Sequence, residues 1–280
     1  MTRQTFFLTV FTVLAFAANS LLCRMALKAE LIDPVSFTQI RLFSGALFLA
    51  PFFYAKREIL WPIKAADGRA TLALFIYAIA FSLAYVSLDA GAGALILFGM
   101  VQFTMIGFAI LKGSRPGAMQ WTGIATGLAG LVYLTSPGLS APSLGGALLM
   151  AAAGIAWGAY SLLGKTEADP VGATARNFLL TLPFLFLLFL MPRSAHASLH
   201  GVALAIASGA LASGAGYVIW YRALKGLSTM NASIVQLAVP VIAALGGIAL
   251  LSEPLTARLL VSSVLVLGGI YLSIRFSQRE

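Results

Sequence analysis

Long apolar runs alternate with short polar gaps along almost the whole chain. Ten of these runs approach the roughly 20 apolar residues that a membrane-spanning helix requires. The predicted spans are residues 6–27, 35–54, 70–88, 90–111, 117–134, 144–163, 173–191, 201–221, 229–251 and 257–274. Turn signals such as Asp33-Pro34 mark the gaps, and no gap is long enough for a soluble domain. The pattern therefore predicts an all-α integral membrane protein with ten transmembrane helices.

The first apolar run, residues 6–27, begins like a signal peptide. It is longer than the apolar region of a signal peptide, however, and it lacks a clear small-residue cleavage site. We therefore predict that this run is a retained membrane span.

The composition agrees with a chain that lies mainly in lipid. Of the 280 residues, 60% are hydrophobic and 10% are charged, whereas soluble proteins carry about 25% charged residues. The net charge of +9 is spread over short gaps, which indicates membrane topology rather than a surface for nucleic acid. With one cysteine, Cys23, and two histidines, His196 and His200, we expect no internal disulfide, no metal site and no cofactor.

The distribution of lysine and arginine predicts how the chain is oriented. With ten spans, 13 of the 18 basic residues fall on the side that holds both termini. Cytoplasmic loops of membrane proteins carry the excess of basic residues. We therefore expect both termini in the cytoplasm and a multi-pass protein of a bacterial-type inner membrane.

Two halves of the chain can be aligned with each other. The string SLLCR at 20–24 matches SLLGK at 161–165, and DPV at 33–35 matches DPV at 169–171. Further matches in the same order are Arg41 with Arg176, Tyr85 with Tyr221, Ser114 with Ser252, and Gly130 with Gly269. We divide the single membrane domain into a first repeat, residues 1–138, and a second repeat, residues 139–280.

Each repeat contains five spans, and an odd number means that the second copy enters the membrane from the opposite side. The prediction is therefore two inverted five-helix repeats, an architecture that is common in secondary transporters and places their sites near the midplane. The Asp-Pro pairs at 33–34 and 169–170 have two interpretations. Asp is suited to cap a helix and Pro to its first turn, or the pair acts directly in gating.

Four features of the chain occur together: five plus five spans, DPV at the start of the second and seventh spans, an arginine after each, and VP at 239–240 followed by SEP at 252–254. In these features the chain resembles the drug/metabolite transporter superfamily, EamA type. Within it, the chain is most similar to the YddG-type exporters of aromatic amino acids. The resemblance implies efflux of phenylalanine, tyrosine, tryptophan and flat cations through a basket-shaped cavity.

The two halves depart from each other at positions where the family often repeats proline and glutamate. Gln102 stands where the second half has Pro240, and Arg115 stands where it has Glu253. A symmetric gating role for these positions is therefore not expected.

Polar side chains within the apolar spans are the first candidates for a substrate cavity. An unpaired polar group in hydrocarbon costs several kcal/mol, so such groups tend to face the interior of a helix bundle. The polar candidates are Asn19, Ser20, Gln39, Gln102, Ser161, Ser213, Asn231 and Gln236. Hydrogen bonding between helices, worth about 0.6 kcal/mol on average, is the alternative role for each.

Aromatic residues form stripes on two spans that the repeat relates. The aromatic candidates are Tyr77, Phe81, Tyr85, Trp157, Tyr160 and Tyr217. Trp157 and Tyr160 occupy the positions in the sixth span that Phe16 and Asn19 occupy in the first. Packing or an interfacial belt is the alternative, but most of these rings lie well inside their spans. Each ring that stacks on a flat substrate contributes about 0.5–1.5 kcal/mol.

Four further residues are candidates for charge recognition or movement. Arg41 and Arg176 lie a turn or two past a helix start, where they can meet a carboxylate or control a gate, and snorkelling to headgroups is the alternative. Pro183 and Pro240 free backbone carbonyls and are hinge candidates. None of the nine acidic residues lies mid-span, which favours facilitated efflux, or coupling through the substrate's own protonation, over a carboxylate relay.

These observations predict a secondary transporter rather than an enzyme. We expect it to export small metabolites, above all aromatic amino acids, from the cytoplasm by alternating access around a central cavity. Its expected partners are the small-molecule substrate and the lipid bilayer, with a monomer favoured. The alternatives are an exporter of other small organic molecules or cationic drugs, and a membrane receptor or scaffold without transport activity.

Overall fold

The computed structural model describes residues 2–55, 65–138, 141–164, 167, 169–191, 195–227 and 235–276. Within these ranges the regular structure is helical, apart from one antiparallel β-bridge between Ile32 and Ala197. We number the helices in chain order. They are α1 Arg3–Lys28, α2 Pro34–Ala55, α3 Ala65–Tyr85, α4 Ala90–Leu111, α5 Ala118–Thr135, α6 Leu144–Gly164, α7 Pro170–Thr181, α8 Leu199–Leu224, α9 Ala238–Leu251 and α10 Ala257–Arg275.

Eight helical segments in the described part of the chain are long and apolar enough to cross a membrane. The other two are α5, which has 18 residues including Gln120 and Thr122, and α9, which has 14 described residues. The chain is therefore an all-α, multi-pass membrane-type protein. The expected total of ten spans remains a prediction.

The seventh predicted span consists of two kinds of helix. α7 is α-helical as far as Thr181, and a 3₁₀-helix continues over Leu182–Leu190. Pro183 lies at the start of the 3₁₀-helix. Proline has no N–H for an α-helical hydrogen bond and its ring crowds the preceding turn, which explains why the change occurs at this point.

A π-helical segment interrupts α8. The helix is α-helical over Leu199–Ile206, π-helical over Ala207–Ala215, and α-helical again over Gly216–Leu224. At the end of the segment, the backbone N–H of Gly216 donates to the carbonyl of Leu211, five residues earlier. π-helical turns are rare and often lie at functional sites.

The most extensive helix contacts form pairs that are related by a shift of five in the helix numbers. α1 packs against α8 and α9, and α6 packs against α3 and α4. α2 packs against α7 and α8, α7 also packs against α3, and α5 packs against α10. Shifting each helix number by five reproduces this set of pairs. In this set, α1 contacts α8 and α6 contacts α3 over long stretches of each helix.

Glycines allow the closest of these contacts. On α5, a Cβ at Gly123 would lie 2.5 Å from the backbone nitrogen of Ser273 and 2.6 Å from the carbonyl oxygen of Gly269 on α10. On α6, Cβ atoms at Gly154 and Gly158 would meet the backbone and side chains of α4. The small-residue pairs at 123/127 and 154/158 therefore let these helices approach closely.

Both Asp-Pro pairs are helix starts. Asp33 Oδ1 accepts hydrogen bonds from the backbone N–H groups of Val35, at 3.1 Å, and Ser36, at 2.9 Å. Asp169 Oδ1 accepts from the N–H of Val171 at 3.2 Å, and the proline that follows each Asp begins its helix. The capping interpretation is confirmed.

Candidate functional site

Eleven buried aromatic side chains from six helices form a connected group, which we call the central aromatic cluster. Its members are Phe16, Tyr77, Phe81, Tyr85, Phe98, Trp157, Tyr160, Phe178, Tyr217, Trp220 and Tyr221. They come from α1, α3, α4, α6, α7 and α8. All six aromatic candidates from the sequence belong to it.

Ring contacts join the cluster across the two halves of the chain. Trp157 lies 4.9 Å from Tyr77 and 4.6 Å from Tyr217, measured between ring centroids. It also meets Phe16 edge-to-face at 5.6 Å. Phe16 and Trp157 are the two residues that the repeat alignment places at equivalent positions, and here they touch. Edge-to-face and tilted pairs are favourable arrangements for aromatic rings.

Asn19 forms the polar link between α1 and its neighbours. Its Nδ2 donates to Tyr77 Oη at 3.1 Å, and its Oδ1 accepts from Ser208 Oγ at 2.6 Å. Both bonds are buried. Ser208 lies in the π-helical segment of α8, so this segment orients a group in the site.

Arg41 lies beside the cluster and is almost completely buried, with 1% of its surface exposed. Its Nε donates to Ser213 Oγ, and its Nη2 donates to Tyr77 Oη and to Tyr217 Oη, each at 3.1 Å. The guanidinium carbon lies 5.0 Å from the Tyr77 ring centroid and 4.9 Å from that of Phe81. Three hydroxyls and two ring faces therefore surround this cation.

A small cavity lies within the central aromatic cluster. It is lined by Phe16, Asn19, Ser20, Tyr77, Phe81, Leu97, Phe98 and Trp157. Its volume of about 10 Å³ gives room for about one water. Ser20 Oγ and Trp157 Nε1 are buried without a hydrogen-bond partner in the described part of the chain. A polar ligand that enlarged this cavity would offer both groups a partner.

The other polar candidates are distributed around this centre. Gln102 and Gln236 are buried, and Ser161 Oγ is buried without a hydrogen-bond partner among the described residues. Gln39 is half-buried and donates to the carbonyl of Leu185 in the 3₁₀-helix, at 3.2 Å. Asn231 lies outside the described residues.

Tyr160 lies further from the cavity than Asn19, its repeat counterpart. It stacks on Trp157 and Tyr221, with ring centroids 5.4 Å and 6.1 Å away, and its hydroxyl accepts from Asn177 Nδ2 at 3.4 Å. It is absent from the set of cavity-lining residues. The amide and the phenol of this repeat pair therefore have different surroundings.

Arg24 is the centre of a group of charges that the sequence does not reveal as a unit. Its Nε donates to Glu253 Oε1 at 3.0 Å, and its Nη2 donates to Asp89 Oδ1 at 3.1 Å. Its Nη1 donates to the carbonyls of Tyr85 and Val86 at the end of α3. We call Arg24, Asp89 and Glu253 the Arg24 cluster.

Glu253 has a second role in the Arg24 cluster. Its Oε2 accepts from the backbone N–H of Ala90 at 2.8 Å and so caps α4, whereas Asp89, the residue before α4, makes no side-chain cap. A carboxylate is favourable at a helix N-terminus. The cluster thus joins α1, the turn between α3 and α4, and the loop between α9 and α10.

Arg176, the second charge candidate, pairs with a carboxylate near a helix end. Its Nη1 donates to Asp67 Oδ1 in the first turn of α3, at 3.2 Å. The structure therefore gives the two repeat-related arginines different partners, since Arg41 contacts hydroxyls and Arg176 contacts a carboxylate.

The hinge candidates both lie where a helix changes or begins. Pro183 is at the junction between α7 and the 3₁₀-helix. Pro240 is in the first turn of α9, which follows Leu237, and its missing N–H is tolerated there. The predicted span 229–251 begins with residues 229–234, which lie outside the described residues. Residues 235–236 are helical, and a turn at Leu237 separates them from α9.

Several residues of the site were not predicted from the sequence. Trp220, Phe98 and Ser208 are buried in or beside the cluster, and Trp220 meets the Phe16 ring at 5.8 Å. Phe98 and Ser208 lie mid-span, which is a usable signal, whereas Trp220 lies near the end of its span, and the repeat counterparts of all three carry no matching chemistry. The Arg24 cluster had a clearer signal, because the predicted topology puts its three members at the same side of the membrane.

Sequence relatives were found in several bacteria and an archaeon. The chain is 52% identical over 274 residues to the uncharacterized protein PA1977 of Pseudomonas aeruginosa, covering 96% of this chain and 94% of that protein. It is 26% identical over 253 residues to an uncharacterized transporter of Archaeoglobus fulgidus, covering 89% and 91%. It is 27% identical over 146 residues to the uncharacterized inner membrane transporter YedA of Escherichia coli, covering 51% and 47%.

A solved crystal structure of a protein matches the fold over 100% of both chains, with a TM-score of 0.71 and 17% sequence identity. The fold and the site define an all-α, multi-pass membrane protein with a polar and aromatic centre. The EamA-like transporter family matches residues 144–275. This chain belongs to the EamA-like transporter family, within the drug/metabolite transporter superfamily.

Proposed function

We propose that this chain is a secondary transporter of the YddG type, which exports aromatic amino acids from the cytoplasm by alternating access. The observation that carries the proposal is the central aromatic cluster. It is buried, it combines side chains from both halves of the chain, and it encloses Asn19 and borders Arg41. Rings that stack on a flat side chain and polar groups that meet an amino acid's charged ends occur together here.

The size of the central cavity supports alternating access. A volume of about 10 Å³ is far below that of an amino acid. Substrate must therefore separate helices that are now in contact before it reaches the rings. Contacts mediated by glycine, such as those between α6 and α4, let helices move as rigid units without repacking large side chains.

The helix packing supports the proposal that residues 1–138 and 139–280 are inverted five-helix repeats within one ten-span domain. Every major pair has its counterpart when helix numbers are shifted by five, and α2 with α7, α4 with α9, and α5 with α10 are their own counterparts. Such self-paired helices are expected close to a pseudo-two-fold axis in the membrane plane.

Contacts between linkers support the proposed ten-span topology, because they join linkers that this topology places on one side of the membrane. The excess of basic residues on the other side supports cytoplasmic termini. The β-bridge joins linkers 29–33 and 191–198, and Ser87 bonds to Ser143 at 2.6 Å. Lys28 donates to the carbonyl of Leu251 at 2.6 Å. In the ten-span topology all these linkers lie on the outer side. Arg176 and Asp67, which pair with each other, both lie near the inner side.

The proposed activity is transport without covalent chemistry. Relatives of this chain carry the name transporter, and the buried carboxylates Asp33, Asp67 and Glu253 lie at helix ends, where each has a capping or ion-pair role. We therefore propose facilitated efflux, or coupling through the substrate's own protonation. Efflux from proteoliposomes that requires an imposed pH gradient, at constant substrate charge, would contradict this.

Resistance to a toxic analogue tests the proposed function in cells. Overexpression of the chain is expected to protect bacteria from p-fluorophenylalanine, and Tyr217→Ala or Asn19→Ala is expected to remove that protection. Tyr271→Ala serves as the control, because Tyr271 is exposed on α10. Protection that survives both central substitutions at equal protein levels contradicts the site, and the absence of protection by the wild-type chain contradicts the substrate class.

A further inference from the structure

Arg41 differs from Arg24 and Arg176 in having no carboxylate partner among the described residues. Arg24 pairs with Asp89 and Glu253, and Arg176 pairs with Asp67. Arg41 is 1% exposed, and its hydrogen bonds in the described part of the chain go to hydroxyl oxygens. A buried charge is costly inside a membrane, and such residues usually pair with an opposite charge or serve a ligand.

The groups around Arg41 stabilise its charge without neutralising it. Tyr77, Tyr217 and Ser213 supply neutral acceptors, and the rings of Tyr77 and Phe81 supply π-faces. The Nη1 atom is buried and has no hydrogen-bond partner within the described residues. One arm of the guanidinium therefore keeps its full donor capacity, and the net positive charge remains.

Arg41 is directly connected to the cavity wall. The two rings that it stacks on, Tyr77 and Phe81, both line the cavity. Tyr77 Oη accepts hydrogen bonds from Arg41 and from Asn19, which also lines the cavity. When a substrate displaces these rings, the guanidinium comes to the cavity surface.

We propose that Arg41 binds the carboxylate of the transported substrate, and that a carboxylate is therefore a requirement for transport. This inference rests on the proposed function and narrows its substrate class. The planar guanidinium can donate two parallel hydrogen bonds to a carboxylate, and such charge-assisted pairs are about twice as strong as neutral ones. The aromatic cluster then receives the side chain of the same molecule.

The proposal separates substrates that share a ring but differ in charge. L-phenylalanine and 3-phenylpropionate carry the carboxylate, whereas phenethylamine carries the ring and the ammonium group alone. An amine or a flat organic cation would bring a second positive charge next to Arg41 in a medium of low dielectric constant. Such compounds are expected to be excluded in spite of the favourable rings.

Equilibrium binding to purified protein in nanodiscs, measured by titration calorimetry with these three compounds, tests the inference. The wild-type chain is expected to bind the two carboxylates and to bind phenethylamine at least about tenfold more weakly. Arg41→Gln is expected to weaken binding of both carboxylates by about tenfold to a hundredfold and to leave phenethylamine binding unchanged or stronger.

Two further variants keep the result interpretable. Arg69→Gln removes the same charge from an exposed position on α3 and is expected to change nothing. Arg41→Lys keeps a positive charge but loses the planar fork, so intermediate affinity is expected, and it carries the test if Arg41→Gln does not fold.

The outcomes separate this inference from the proposed function. Undiminished binding and efflux of phenylalanine by folded Arg41→Gln overturns the role of Arg41 and leaves the exporter proposal intact. Equal or tighter binding of phenethylamine by the wild-type chain also overturns it. Binding of 3-phenylpropionate without phenylalanine keeps the role of Arg41 and contradicts the amino acid as substrate. Binding of none of the three compounds overturns both.

Discussion

At the scale of the residue, the centre of the molecule depends on hydroxyl groups that serve two partners at once. Tyr77 Oη accepts from both Arg41 and Asn19, and Ser208 Oγ holds the other end of the Asn19 amide. A phenol that accepts twice in a buried site fixes the positions of three helices. Loss of this one oxygen leaves two buried donors short of a partner.

Tyr77→Phe is therefore expected to lower the stability of the protein by about 1–3 kcal/mol, the usual cost of leaving buried polar groups unsatisfied. Thermal unfolding in detergent, followed by intrinsic fluorescence, measures the change. Tyr271→Phe removes the same oxygen from an exposed ring and is expected to unfold at the wild-type temperature. Equal unfolding temperatures for the two variants would show that the Tyr77 hydroxyl does not contribute to the stability of the protein.

The sequence identified this centre through two signals that act together. Asn19, Trp157 and Tyr217 are polar or aromatic residues within apolar runs, and the alignment of the two halves places them opposite Tyr160, Phe16 and Phe81, respectively. Their partners were not predictable in the same way. Ser208 reaches Asn19 from a π-helical turn, and the spacing of an ordinary α-helix does not anticipate that geometry.

At the scale of the helix, two kinds of contact hold elements together. Glycine-to-backbone packing joins α5 to α10, and ion pairs with a helix cap join α1, α4 and the loop after α9. Both were partly visible in the sequence, the first as a G-x-x-x-G pattern and the second as charges near helix ends. The pairing partners were not, because they lie far apart in the chain.

Gly269→Val is expected to destabilise the protein by about 1–3 kcal/mol or more, because overpacking forces α5 and α10 apart. A Cβ at Gly269 would lie 2.5 Å from the backbone nitrogen of Gly127. Gly268→Val is the matched control one residue earlier, since nothing lies within 4 Å of its Cβ. The yield of monodisperse protein and its unfolding temperature compare the two variants.

Glu253→Gln is expected to loosen the Arg24 cluster, because removing one partner of a buried ion pair costs about 3–5 kcal/mol. Cys23, which is next to Arg24 and fully buried, is a natural reporter. Its rate of modification by N-ethylmaleimide is expected to rise several-fold.

Asp89→Asn gives the comparison for this experiment, because the Asp89 side chain is 44% exposed and the Glu253 side chain is 4% exposed. An exposed ion pair contributes about 0–1 kcal/mol, so Cys23 is expected to react more slowly than in Glu253→Gln. Similar rates of Cys23 modification in both variants would mean that the buried ion pair of the Arg24 cluster does not protect Cys23 from the reagent.

At the scale of the whole molecule, the placement of charge and the contacts between linkers lead to the same proposed topology. Apolar runs predicted the helices well. A single segment buried in lipid must satisfy its own backbone hydrogen bonds, and the α-helix does this. The sequence could not give the break at Pro183 as a 3₁₀-helix or the interruption of α8. The 3₁₀-helix begins at a proline, which is visible in the sequence, but local preference predicts neither its length nor the π-helical segment.

Reporter fusions test the proposed orientation. Alkaline phosphatase fused after Ser136, between α5 and α6, is expected to be active because that linker is predicted to be outside. The same fusion after Gly113, between α4 and α5, is expected to be inactive, and green fluorescent protein at the C-terminus is expected to fluoresce. The reverse pattern would mean that the excess of basic residues does not set the orientation.

The π-helical segment affects how α8 tolerates a change in its number of residues. Ser208 lies within the wide turns and Tyr217 follows them, yet both reach the centre. In an ordinary helix one residue more or fewer rotates everything beyond it by about 100°. A π-helical turn holds more residues than an α-helical turn, so deleting a single residue from Ala207–Ala215 would restore regular winding and keep Tyr217 directed towards Arg41. The π-helical segment therefore lets this helix gain or lose one residue while the side chains beyond it keep their direction.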